Sequence, residues 1–249
     1  MRERPILFSS PMVRAILEGR KTQTRRTVKP QPAFDPHREQ WSWENKAGHI
    51  AWSGTRPQAA ALLGAREICP YGQPGDRLWV RETWRVGAWR DDGRMAFDFA
   101  ASPELVRTPW CSPAEDVFRQ LVEQSDDDCS KAGTAMDAEG HWKWEHGRSP
   151  CRWRPSIYMP RWASRLTLEV LSVRVERLQA ISEEDAKAEG VEPAPFCKAS
   201  RPAGLEHVEA FEDLWDSINA DRAPWASNPW VWCVEFRPLA AEAVAEASP

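Results

Sequence analysis

Apolar and polar positions follow two different periods along this chain, and the switches between them mark its elements. Met12, Val13, Ile16 and Leu17 recur at helical spacing behind Ser10-Pro11, a pair suited to the N-cap and first position of a helix. Gly19 follows as the left-handed residue that commonly ends a helix. The polar stretch beyond it, with β-branched Thr22, Thr24 and Thr27, favours an extended strand. Lys21 therefore stands at a helix-to-strand turn. A short run, Ile6-Leu7-Phe8, predicts a strand before the helix. Residues 30–60 are rich in Pro, Trp and polar side chains without a sustained period, and read as loop.

After the turn residues Pro74-Gly75-Asp76, Leu78, Val80 and Trp84 alternate with Trp79, Arg81 and Thr83, as in a strand. This strand is expected beside the one at 20–26. Residues 87–101 read as a hairpin around Asp91-Asp92-Gly93. Residues 112–150, with the acidic run Asp126-Asp127-Asp128, read as a flexible insertion, and 151–165 as a rigid extended lead-in. The strand from Leu166 to Leu178 is apolar at 166, 168 and 170, then at 171, 173 and 175; the shift by one predicts a bulge. Ser182-Glu183-Glu184-Asp185 starts a helix that Gly190 stops. A second helix carries Val208, Phe211, Leu214, Trp215 and Ile218 on one face, and Trp230–Phe236 is the last strand. The alanine-rich tail, 240–249, is expected to be disordered.

Composition adds three constraints. The chain of 249 residues is 42% hydrophobic and 28% charged, so it can bury a core. Its 15 Trp against 2 Tyr suit both packing and base stacking. Net charge is −4, which argues against broad coating of a nucleic-acid backbone, but nine Lys/Arg face four acids in residues 1–40. From Ile181 onward fourteen acids face five bases. A cationic mouth on an acidic body suits a small anionic or nucleoside-containing ligand. The six cysteines form no C-x-x-C pair, no signal peptide follows Arg2 and Arg4, and no segment approaches transmembrane length. Reduced thiols in a cytoplasmic protein are the expectation. Cys129, His141, His146 and Cys151 fit no zinc-module spacing, so neither metal nor cofactor is expected. Trp142, Trp144, Trp153 and Trp162, interleaved with Lys143, Arg152, Arg154 and Arg161, fit either base stacking with phosphate contacts or a Trp-rich lid.

Four segments occur in order: Gly19-Arg20-Lys21-Thr22-Gln23-Thr24-Arg25-Arg26, Pro74–Trp84, Ile181–Gly190, and a terminal strand ending Val234-Glu235-Phe236. This series resembles the ASCH domain family, and in particular longer members met in phage-like sequences. The resemblance implies an α+β fold: a PUA-like β-barrel with flanking helices, here a single domain over 1–239 with a Trp-rich insertion at about 85–156. It implies binding of RNA or modified nucleobases. It also resembles a small branch that hydrolyses N(4)-acetylcytidine, whose motif maps its catalytic residues onto Lys21, Thr24 and Glu189. Arg20, Arg25, Arg26, Trp79 and Trp162 are the expected substrate-binding residues.

The chemistry stands beside the resemblance. Amide hydrolysis needs a nucleophile, a base and an acid for the leaving amine. Thr24 can attack with Lys21 as base, its pKa lowered by the neighbouring arginines. Alternatively Glu189 activates water while a charged Lys21 stabilises the oxyanion. The expected function is hydrolysis of an acylated nucleoside or related small amide, with a non-catalytic RNA or modified-base binding module as the alternative. A structural phage protein is a third reading, without positive sequence support.

Overall fold

The computed structural model describes residues 1–37, 40–45, 48–53, 69–102, 110–193 and 204–239, with backbone alone for most of 40–53. The tail at 240–249 and Cys197 lie outside the described residues. The protein is mixed α and β. Its elements are β1 (Glu3–Leu7), α1 (Ser10–Leu17), β2 (Gln23–Thr27), β3 (Ala33–Asp35), β4 (Gln40–Asn45), β5 (Gly48–Ser53), β6 (Arg77–Arg81), β7 (Trp84–Trp89), β8 (Met95–Phe99), α2 (Glu115–Lys131), β9 (Thr167–Arg177), α3 (Glu183–Ala188), α4 (Glu206–Asn219) and β10 (Trp230–Pro238). Three sheets form among the described residues: β1-β6-β9-β10-β2, the meander β3-β4-β5, and the hairpin β7-β8. The five-stranded sheet is open, with β1 and β2 at its edges. β2 therefore does not lie beside β6, as the sequence suggested. The C-terminal strand β10 takes that place, antiparallel to β2 on one side and to β9 on the other.

Two other expectations change. Ala33–Asp35, Gln40–Asn45 and Gly48–Ser53 are strands rather than loop, because Phe34, Trp41, Trp43 and Trp52 are strand-favouring residues that register across these three short segments. Residues 115–131 are a helix of 17 residues with Leu121, Ser125 and Cys129 buried, not a flexible insertion. By contrast, the bulge expected on the long strand is present. Glu235 pairs with Ser172 and Phe236 with Val170, so Leu171 is the extra residue, and it is exposed.

The chain divides into two compact units. The first comprises Met1–Arg4, Ala15–Leu78 and Leu168–Pro249. In it α3 and α4 close over Leu178, Ile181, Ala186, Val208, Phe211, Trp215, Trp225 and Val231. Burying each Leu, Ile, Val or Phe among these contributes about 1.5–3 kcal/mol against leaving it in water. Leu205 gives α4 no side-chain cap; the Glu183 carboxylate instead accepts the backbone N–H groups of His207 and Val208, at 3.0 and 3.2 Å. Ile218, expected on the buried face, is 53% exposed.

The second unit comprises Pro5–Arg14 and Trp79–Thr167. Its core packs Trp84, Val86, Met95, Phe97 and Phe99 of the β7–β8 hairpin against Leu121 and Cys129 of α2 and against Cys151, Met159 and Ala163. The hairpin turns at Gly93, whose φ of 82° favours glycine. Pairing skips Gly87 between Val86 and Ala88, and the Gly87 carbonyl accepts the Trp144 indole N–H at 3.1 Å. Of the arginines between the tryptophans, exposed Arg152 bonds Asp128 and buried Arg154 bonds Gln124; beyond them Arg165 reaches both oxygens of buried Glu82. Among the described residues no helix is long and apolar enough to cross a membrane.

Candidate functional site

The end of α3 and the start of β2 meet in the first unit. Ser182 caps α3 by accepting the Asp185 N–H at 3.1 Å, and the helix closes at Glu189 with Gly190 at φ 81°. Gly19, at φ 75°, turns the chain after α1 so that Arg20 and Lys21 both donate N–H to the Ala15 carbonyl. Lys21 then forms an antiparallel bridge with Glu189, extended by Thr22 N–H to the Ala188 carbonyl at 2.9 Å. The approach is tight. A Cβ on Gly190 would lie 2.7 Å from Lys21 Cβ and 2.9 Å from Ala15 Cβ. Only glycine fits there, both for its left-handed φ and for its missing side chain.

This bridge buries charge. The Lys21 side chain is fully buried and that of Glu189 is 3% exposed. Lys21 Nζ donates to Glu189 Oε2, the Glu189 carbonyl and the Gln23 carbonyl, each at 2.8 Å. Three acceptors match the three donors of an ammonium, and one of them is a helix-end carbonyl that lacks an intrahelical donor. Arg25 reaches the other Glu189 oxygen at 3.3 Å, Asp185 at 2.8 Å, and Glu176. Arg174 continues the network to Asp185, Glu176, Glu235 and the Gln23 side-chain carbonyl. Burial holds the Lys21 ammonium below the usual lysine range; Glu189 pulls it upward, while Arg26 and Arg25 push weakly down. The sequence argument had the direction right, but the largest cause is desolvation and Arg20 takes no part. Asp185 stays below the usual aspartate range: burial raises it, but Arg25 and Arg174 outweigh burial. Two buried donors, Gln23 Nε2 and Arg25 Nε, find no acceptor among the described residues.

The sequence-predicted residues separate into groups. Lys21 and Glu189, 168 residues apart, come together with Arg25. Thr24 is also buried, but strand alternation turns it away from Gln23 and Arg25. Cross-strand register places Arg25, Cys233 and Arg174 on one face of β2, β10 and β9, and Thr24, Val234 and Val173 on the other. No hydrogen bond joins the Thr24 hydroxyl to Lys21 or Glu189 among the described residues. Arg26 shares the Thr24 face and is half-buried. Arg20 is part-exposed, paired with Glu18 and Glu192 and donating to the Gly190 carbonyl at 3.0 Å. Trp79 and Trp162 belong to the second unit, Trp79 beside Arg81 at 5.3 Å and Trp162 beside Phe97 at 5.5 Å.

Sequence reasoning missed Arg174, Glu176, Asp185 and Glu235. Alternating charges in Val173-Arg174-Val175-Glu176 were a signal for one polar strand face, but nothing in the sequence says that this face looks at α3. The four residues weighed as zinc ligands do not gather. Cys129 and Cys151 are core thiols that neighbour each other, burial pushing Cys129 up to about 12, whereas His141 lies between Asp91 and Asp137. Among the described residues no group of three or more His, Cys, Asp or Glu side chains could hold a metal ion. No protein family, curated protein or solved structure matches the chain.

Proposed function

We propose that the first unit is an ASCH-type, PUA-like module that hydrolyses the amide of an acylated nucleoside, of the N(4)-acetylcytidine kind. The observation that carries this reading is the 2.8 Å contact between buried Lys21 and Glu189, at the two positions the resemblance implies. The geometry favours water over Thr24 as the nucleophile. Glu189 takes a proton from water as its oxygen bonds to the acyl carbon, and Lys21 Nζ stabilises the resulting oxyanion. The carbon–nitrogen bond then breaks, and Glu189 returns the proton to the leaving amine, giving the free nucleoside and a carboxylic acid that loses its remaining proton to solvent. Substrate entry requires Lys21 to exchange one of its three present acceptors for the acyl oxygen. Gln23 Nε2, a buried donor with spare capacity, is suited to a carbonyl of the base.

A second reading draws on a different observation. Every donor of Lys21 is already satisfied and Thr24 stands apart from the pair, as suits a structural ion-pair network under a nucleobase-binding module. Hydrolysis of N(4)-acetylcytidine by the purified chain separates the two, run beside binding of cytidine. The hydrolase reading expects turnover that falls by orders of magnitude in Lys21→Met and Glu189→Gln, but by less than about tenfold in Thr24→Val. Cytidine binding without turnover would instead establish the binder.

A further inference from the structure

The second unit contains a cavity of about 680 Å³ that the reading above does not use. Two turns and one helix build it. One wall is the end of the β7–β8 hairpin, from Trp89 to Asp91. The facing wall is a smaller hairpin, in which Met136 bridges Trp142, Lys143 N–H bonds the Ala135 carbonyl, and Asp137 Oδ1 accepts the N–H groups of Glu139 and His141. His141 spans the two walls, 3.6 Å from Asp137 and 3.8 Å from Asp91. Helix α2 contributes Asp126, which accepts the Trp142 indole N–H at 2.9 Å.

Two details decide what such a lining can hold. The indole N–H groups of Trp142 and Trp144 are already bonded, so these rings have only faces and edges to offer a ligand. Trp89 packs against Trp144 at 5.5 Å, so the aromatic wall is continuous. Charge of both signs surrounds it. Asp91, Asp126 and Asp137 keep spare acceptor oxygens, while Arg90 stacks on Trp110 at 4.1 Å and the Lys143 ammonium has no partner among the described residues. An anion meets three carboxylates and a cation meets two positive charges. A hydroxyl suits both, since it donates to a carboxylate and accepts from an ammonium.

We propose that this cavity binds a neutral sugar ring, its apolar face on the indoles and its vicinal hydroxyls on the carboxylates and Lys143. The ring is either a free saccharide or the ribose of a nucleoside. A volume of this size lies within the range of small-molecule sites.

The test is isothermal titration of the full chain with glucose, N-acetylglucosamine, cytidine, 2′-deoxycytidine and cytosine. Saturable binding of a sugar, or of cytidine over 2′-deoxycytidine and cytosine, is expected, and the probe that binds identifies the source of the ring. Trp142→Ala should weaken it by about tenfold or more through lost stacking. Because Trp142 also packs on the core, Asp137→Asn is the second variant. It keeps the oxygen that holds the turn and replaces the spare acceptor, so binding should again weaken by about tenfold with the melt unchanged. No saturation by any probe, cytosine binding as well as cytidine, or affinity unchanged in Asp137→Asn would each overturn the proposal.

Discussion

Gly190 decides how closely Lys21 can meet α3. Replacing it with alanine adds a methyl that would sit 2.7 Å from Lys21 Cβ, at a φ of 81° that L-residues avoid. Left-handed backbone costs about 1–2 kcal/mol and overpacking about 1–3 kcal/mol, so Gly190→Ala should destabilise by roughly 2–5 kcal/mol in denaturant melts. A loss below about 0.5 kcal/mol would mean that the bridge between Lys21 and Glu189 is looser than described. Lys21 and Glu189 were legible in the sequence only through a motif. Arg174, Glu176 and Asp185 were not, because Arg174 meets Arg25 across Cys233, and that register needs two long-range strand pairings. The face on which Thr24 lies was hidden for the same reason. The motif sets Lys21, Thr24 and Glu189 together, whereas strand alternation turns Thr24 away from the Lys21–Glu189 pair.

The elements that local rules control were the most readable. The Ser182 cap, the Gly190 stop, the β7–β8 turn and the Leu171 bulge each rest on a few adjacent residues. Helix α2 was missed although Val117, Phe118, Leu121, Val122 and Ser125 keep helical spacing; the acidic run Asp126–Asp128 drew the reading toward a solvated loop. At this scale α3 makes an acid-sensitive joint. Burial raises Asp185, but Arg25 and Arg174 hold it below its ordinary 3.8. Burial also raises Glu183, but the His207 and Val208 N–H groups and the His207 ring hold it below 4.5. In the window just below these ordinary values the unfolded chain binds protons that the folded chain does not. The stability from both carboxylates is therefore full above about pH 5 and is lost as pH falls through their folded values. Asp185→Asn should lower stability at neutral pH and flatten the acid limb of a stability-versus-pH curve. An acid limb as steep as that of the wild type would remove Asp185 from the account.

At the scale of the whole molecule, several cations that look available in the sequence are committed to carboxylates among the described residues. The excess of Lys/Arg in residues 1–40 suggested a cationic mouth, yet Lys21 and Arg25 are buried in ion pairs and Arg20 is paired at the surface. In the second unit Arg152 and Arg165 hold Asp128 and Glu82. A net charge of −4 adds no general attraction for a phosphate backbone. Each phosphate contact to a single strand contributes about −0.7 to the slope of log affinity against log salt. A chain that recognises a nucleoside should therefore bind a short single-stranded RNA weakly, with a slope no steeper than about −1.5, corresponding to one or two contacts. Fluorescence anisotropy with a labelled oligonucleotide across roughly 50–200 mM salt measures this directly. A slope of about −4 or steeper would show that roughly six phosphates are neutralised at once, and would favour the RNA-binding module over the hydrolase.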